Sequence, residues 1–158
     1  MGSHAYIALS PDIPRGILHS YVGHEFNHVL QYGTDFTENA LTFWEGSANL
    51  ADWYTHGGVP LSEFSLGDFQ AVPWAGLALD SYQLYEIHGL YNHYEYGAML
   101  WNLYLEAEHG GGGAATAAVW AAGEQLGWTN QPDVLDALDD VTGDWQLAWL
   151  DFAMQRIR

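Results

Sequence analysis

Cysteine is absent from the 158-residue sequence, which excludes disulfides, zinc sites built on thiolates and thiol nucleophiles. Lysine is also absent, and three basic residues, all arginine, stand against 20 acidic ones, for a net charge of −17. A chain this acidic repels nucleic acids and anionic membranes, so we expect neither as a partner. Such an excess of carboxylates is typical of proteins that work outside the cell or at high salt, and we expect a secreted or extracellular location.

Long apolar runs are missing as well. No stretch approaches the roughly 20 residues of a membrane-spanning helix, and residues 1–4 resemble an expression-vector scar rather than a secretory signal. Apolar residues nevertheless make up 49% of the chain and aromatic residues 15%, which is enough for a hydrophobic core. The sequence therefore predicts a single folded domain over residues 1–158, and we expect a monomer.

The spacing of apolar residues predicts a mainly α fold, α+β at most. Residues 5–9 are the candidate strand. Helical periodicity covers residues 15–32, 38–55, 82–108, 114–126, 131–138 and 145–157. Residues 59–79 carry scattered proline and glycine, which predicts a long loop of the kind that often shapes a site.

Two histidines on the first predicted helix carry the clearest chemical signal. His24 and His28 are four positions apart, so both imidazoles project from one helix face and can reach a single zinc ion. Glu25 follows the first histidine directly, which suits a carboxylate that accepts a proton beside the metal. Spacing and residue type together predict a hydrolytic zinc site with Glu25 as the catalytic base.

Glu45 is the best candidate for the third protein ligand that such a site needs. It lies 17 residues after His28, far enough for the chain to turn and for a second helix to cross the metal. Gly46 and Ala48 are small and would let that helix approach closely. The competing interpretation is that Glu45 is an ordinary solvated carboxylate.

The stretch from His24 to Tyr32, followed by the segment from Phe43 to Ala48, resembles the gluzincin-type zinc metallopeptidases, in particular bacterial secreted families. The resemblance implies a zincin-like catalytic domain with Zn²⁺ on His24, His28 and Glu45 and with Glu25 as general base. It also extends to residues 94–98, where it implies Tyr94 as the donor that stabilises the tetrahedral intermediate.

Two departures from that family bear on the substrate. The sequence has no Gly-Ala-Met-Glu-Asn exopeptidase signature, which favours an endopeptidase that acts on protein or peptide. The strand region that precedes the active helix is reduced to about 20 residues, so the edge that would align an extended peptide is shortened. A binding module for peptide or glycan that keeps a structural or vestigial zinc site is the alternative, although such a site would not need Glu25.

Several supporting roles remain open in the sequence. The oxyanion donor is Tyr94 by resemblance, while Tyr91, His88 and His93 are alternatives nearby. The imidazole of His24 needs a partner for its second nitrogen, and Asp52 or Asn49 lies on the appropriate side of the second helix. We favour Asp52 because a carboxylate raises imidazole basicity more than an amide does. His19, turned away from His24 on the helical wheel, is predicted to be a partly buried histidine rather than a ligand.

Overall fold

The structure is a computed structural model that describes residues 6–57, 60–73, 75, 86, 93–124 and 129–156. Its helices are α1 (Leu18–Thr34), α2 (Leu41–His56), α3 (Pro60–Ala71), α4 (Tyr94–Gly97), α5 (Met99–His109), α6 (Ala114–Ala122), α7 (Val134–Thr142) and α8 (Trp145–Arg156). No strand occurs within the described ranges, which confirms the mainly α prediction. Residues 6–9 of the candidate strand have no regular structure.

The prediction of a long loop over residues 59–79 is wrong for its first half, which forms α3. Proline suits the first turn of a helix, because its missing N–H would have no partner there, and Pro60 takes that position. Gly67 lies within the same helix and lowered the apparent helical signal of the sequence. Residues 74 and 76–79 lie outside the described residues, as do residues 82–85 and 87–92 of the helix predicted over residues 82–108.

The hydrophobic core lies on the side of α2 that faces away from α1. Its largest fully buried side chains include Trp101, Tyr94 and Phe69, and α8 covers it through Phe152. Gly46 of α2 lies close to the α4–α5 junction, because a Cβ atom at this position would be 3.0 Å from the carbonyl carbon of Ala98. Gly46 therefore allows α2 to approach the α4–α5 junction of the core, and not the metal site as the sequence analysis expected. Among the described helices, none has both the length and the apolarity to span a bilayer.

Helix α1 buries polar residues and exposes apolar ones, which is the reverse of an ordinary surface helix. The residues that it buries are polar, namely Ser20, His24 and Gln31. Its apolar residues Phe26 and Leu30 are instead more than half exposed. Buried polar groups need partners, and α2 supplies them along the α1·α2 contact. This polar contact between α1 and α2 positions the candidate site.

Candidate metal centre

The predicted ligands meet in space. His24 and His28 of α1 bring their Nε2 atoms to 3.1 Å from each other. Glu45 of α2 places Oε2 at 3.0 Å from Nε2 of His24 and at 3.4 Å from Nε2 of His28. Three donors on one tetrahedral zinc ion would be roughly 3.3 Å apart, given Zn–N and Zn–O bonds of about 2 Å. The spacing of the three atoms therefore fits a zinc ion.

Asn49 fixes the tautomer of His24. The amide Nδ2 of Asn49 donates a hydrogen bond of 2.8 Å to the carbonyl of Tyr96, which turns its Oδ1 toward His24. Oδ1 lies 2.9 Å from Nδ1 of His24, and an oxygen can only accept, so Nδ1 carries the proton. Nε2 of His24 is thus left with a lone pair that faces the cluster.

Gln31 does the same for His28 from one turn along α1. Its Nε2 donates to the carbonyl of Trp44 at 3.0 Å and to the hydroxyl of Ser47 at 2.7 Å. Its Oε1 therefore accepts from Nδ1 of His28, at 2.6 Å. Both imidazoles consequently present an unprotonated Nε2, the form that binds a metal.

With both histidines protonated on Nδ1, none of the three converging atoms carries a hydrogen that it could donate. Oε2 of Glu45 is buried and has no hydrogen-bond partner when both histidines hold their protons on Nδ1. A buried carboxylate oxygen beside two nitrogen lone pairs is unfavourable unless a cation lies between them. A metal ion satisfies all three atoms at once, so the donor set fits zinc.

In the absence of metal, a proton provides the positive charge. Burial lowers the pKa of His28, but hydrogen bonds with Glu45 and Gln31 outweigh this effect, and the pKa is raised above 6.5. Burial likewise raises the pKa of Glu45, but its hydrogen bonds with His24 and His28 lower it to about 2. Proton and metal therefore compete for the same atoms.

Two clefts meet at this cluster, and Glu25 lines both. The first cleft has a volume of about 610 Å³ and is bounded by His28, Glu45 and an aromatic wall that includes Tyr32 and Trp44. The second has a volume of about 420 Å³, and its walls include His24, His93 and Tyr96. Glu25 is half-buried, and its negative charge contributes to the raised pKa of His28. It thus lies where both clefts open onto the ligands.

Tyr94 does not reach the cluster. Its side chain is completely buried in the core, its ring packs on Phe69 at 4.7 Å, and its hydroxyl donates to the carbonyl of Ala75 at 2.8 Å. The prediction of Tyr94 as a catalytic donor therefore has to be corrected, since a hydroxyl enclosed in the core cannot contact a substrate.

Tyr96, which the sequence did not single out, lies at the site instead. Its ring stacks against the ring of His24 with centroids 6.1 Å apart, and it faces the second cleft. Burial and the charges of Glu45, Glu95 and Glu25 raise its pKa, so its hydroxyl stays protonated and can donate. Exposed His93 lies beside Tyr96 and borders the same cleft, whereas Tyr91 and His88 are outside the described residues.

The preference for Asp52 as the partner of His24 is wrong. Asp52 lies 2.9 Å from Nδ1 of His56 and also accepts a hydrogen bond from Ser20. Asn49, the alternative, occupies the predicted role. Gln31 was not anticipated at all, although a glutamine three residues after a ligand histidine lies on the same helix face and could have signalled it.

A comparison with protein-family models finds no match, and comparisons with curated proteins and with solved structures find no significant similarity.

Proposed function

We propose that this protein is a zinc-dependent metallopeptidase that cleaves within protein or peptide chains. The observation that carries the proposal is the convergence of His24 Nε2, His28 Nε2 and Glu45 Oε2, each with an unshared electron pair, in a cluster where His24 is buried and the other two residues are half-buried. Three protein ligands with no fourth in the described cluster are typical of catalytic rather than structural zinc sites. When bound, zinc would act as a Lewis acid and lower the pKa of a coordinated water toward ~7.

Glu25 is assigned the role of the base in this proposal. It accepts the proton as a water oxygen attacks the scissile carbonyl, and it returns that proton to the leaving amine. Its place on the boundary of both clefts puts the carboxylate next to any chain that passes from one cleft into the other. A non-catalytic binding module would have no use for such a carboxylate.

Tyr96 is the favoured donor to the oxygen that becomes negative during the attack, with His93 as a second candidate. Both residues line the cleft that contains His24 and Glu25. A donor that is already positioned before the reaction stabilises the developing charge without further rearrangement.

The two clefts favour an internal peptide bond as the substrate. A chain bound across Glu25 would extend into the aromatic first cleft on one side and into the second cleft on the other. The first cleft, lined by Tyr32, Phe36 and Trp44 among others, suits a bulky apolar side chain near the scissile bond. The net charge of −17 should also attract cationic peptides at low salt.

The test combines metal content with turnover. Purified protein should contain about one tightly held zinc ion per chain and should cleave an unstructured protein such as casein. Glu45→Ala should lose both the ion and the activity, because one of three ligands is removed. Glu25→Gln should keep the ion and the fold but lose turnover by several orders of magnitude.

Glu108→Gln is the matched control, because Glu108 is an exposed carboxylate of α5 that lines neither cleft. It should keep both zinc and turnover. Full activity of Glu25→Gln would contradict its role as base. Zinc binding without any turnover in the unaltered protein would instead favour the binding module.

A further inference from the structure

A second pair of histidines lies at the other end of the α1·α2 contact. His19 of α1 and His56 of α2 stack with ring centroids 6.1 Å apart and an angle of 21° between the planes. Both residues are exposed, so the expectation of a partly buried His19 is wrong. We call these two residues the surface histidine pair.

A buried carboxylate orients one member of the surface histidine pair. Asp52 is only 3% exposed, and its Oδ1 lies 2.9 Å from Nδ1 of His56. Its other oxygen accepts the hydroxyl hydrogen of Ser20. Since the carboxylate can only accept, Nδ1 of His56 carries the proton and Nε2 presents a lone pair at the surface.

Gly23 explains why the two rings come together. A Cβ atom at this position would lie 2.9 Å from Cε1 of His56, so the ring occupies space that another residue would fill. His19 precedes Gly23 by four positions and therefore lies on the same face of α1. Gly23 thus leaves room for the ring of His56 to lie against α1, next to His19.

We propose that His19 and His56 bind a second divalent transition-metal ion, with zinc as the simplest candidate. Imidazole nitrogen suits zinc, copper and nickel, and a carboxylate on the opposite ring nitrogen is the usual companion of a metal-binding histidine. Two imidazoles on one tetrahedral ion have centroids roughly 5 Å apart, given Zn–N bonds of about 2 Å. The two rings are nearly parallel and 6.1 Å apart, so a shared ion requires the exposed ring of His19 to turn toward Nε2 of His56, whose own ring is held by Asp52.

The second site should be weaker than the first. It offers two protein ligands instead of three, and water must complete the coordination. Its ion would tie the beginning of α1 to the end of α2, the two helices that also carry the first cluster. This role does not depend on whether the protein is a peptidase.

Calorimetric titration of the whole protein with zinc chloride tests the proposal, after the tighter site has been filled with one equivalent. A second, weaker binding event should appear in the unaltered protein. His19→Ala and His56→Ala should each lower the number of bound ions by one. His109→Ala, which removes another exposed histidine at the end of α5, should not.

A second measurement, on the unaltered protein, tests the proposal even if a variant folds poorly. Nitrogen NMR of the histidine side chains in the unaltered protein should show the Nε2 signals of His19 and His56 moving together during the second binding event. Absence of a second event, or a loss of the ion on only one of the two substitutions, would overturn the shared site. Glu45→Ala should leave the second event in place, so failure here is distinguishable from failure of the proposed peptidase function.

Discussion

Each candidate zinc-binding imidazole is held by a carboxamide whose orientation follows from its other hydrogen bonds. Asn49 is oriented by the Tyr96 carbonyl, and Gln31 is oriented by the Trp44 carbonyl and the Ser47 hydroxyl. An amide has one end that donates and one that accepts, so fixing the first fixes the second. The tautomers of His24 and His28 are thereby set by residues that are not among the candidate ligands.

Asn49→Ala should weaken zinc binding by roughly 10- to 100-fold, because the ring of His24 loses the bond that holds its tautomer. Competition with a chelator of known affinity would measure the loss. Asp52→Asn is the matched control, since Asp52 contacts Ser20 and His56 but not His24. An equal loss of the tightly held zinc in both variants would argue against the orienting role of Asn49.

Tyr96→Phe should reduce kcat by roughly 10²- to 10³-fold with little change in KM, as expected when one donor to the oxyanion is removed. Tyr94→Phe should keep turnover and lower the free energy of unfolding by about 1 kcal/mol, because it removes the bond to Ala75. Kinetics on a chromogenic peptide together with urea denaturation would separate the two effects. A normal kcat in Tyr96→Phe would shift the donor role to His93.

At the scale of the helices, α1 and α2 lie antiparallel, and their register determines which polar residues meet. Gln31 contacts Trp44 and Ser47, His24 contacts Asn49, and Ser20 contacts Asp52. A residue seven positions after Glu45 is roughly 10 Å further along its helix, at 1.5 Å per residue. Asp52 is therefore carried past His24 to the preceding turn of α1.

The sequence was sufficient for the local parts of this arrangement. Helical periodicity placed α1 and α2 within a few residues, and Gly57 ends α2 in a left-handed conformation as a C-terminal glycine should. The sequence also anticipated that His24, His28 and Glu45 would come together, since the two histidines share a helix face by spacing alone. Glu45 required the additional assumption that α2 returns across α1.

The features that could not be predicted from the sequence depend on the packing of one helix against another. The partner of His24 depends on the register of α2, and the burial of Tyr94 depends on contacts with Phe69 and Ala75 that are distant in sequence. The apolar residues of α3 show little helical periodicity, so the sequence did not reveal the helix. Its packing is against α4, which is distant in sequence. Long-range contacts override local signals in each of these cases.

Glu106 shows how a single carboxylate organises the connection between α5 and α6. Its two oxygens accept hydrogen bonds from the backbone N–H groups of Gly111, Gly113, Ala115 and Thr116, at 2.7 to 3.4 Å. Burial raises the pKa of Glu106, but the bonds from Thr116, Gly111 and Ala115 outweigh it, and the pKa is lowered. The ionised form is thus the one that the folded loop prefers.

Glu106→Gln should lower the free energy of unfolding by roughly 1–3 kcal/mol at pH 7, because an amide nitrogen would face backbone donors. Since the pKa is lowered on folding, this stabilisation is present above the ordinary carboxyl pKa near 4.5 and is lost as pH falls further. Urea denaturation at pH 7 and pH 3.5 would show the difference between the two proteins shrinking at the lower pH. Glu108→Gln, on the exposed side of α5, should behave like the unaltered chain.

For the whole molecule, the proposed zinc binding would be coupled to both stability and pH. The raised pKa of His28 means that its proton stabilises the metal-free fold below pH 6.5 and that this contribution is lost as pH rises through the folded pKa. The pKa of Glu45, lowered to about 2, gives a contribution that is present above about 4.5 and disappears as pH falls toward 2. The metal-free cluster is therefore most favourable between these limits.

Removal of zinc with a chelator should consequently lower Tm only slightly at pH 5.5 and by several degrees at pH 8, where no proton replaces the metal. Differential scanning calorimetry of loaded and stripped protein at the two pH values would measure this. Glu45→Ala should lose, at both pH values, the part of the shift that comes from the tightly held ion. A larger shift at the lower pH would contradict the competition between proton and metal.

The choice of uncharged amides as the supports of both imidazoles has an electronic consequence. A carboxylate in those places would draw the Nδ1 proton toward itself and give the ring partial imidazolate character, which feeds electron density to the ion. Carboxamides donate far less, so a bound cation would keep more of its electrophilic strength and would be released more readily. Although the chain carries a net charge of −17, the hydrogen-bond partners of Nδ1 in both rings are neutral.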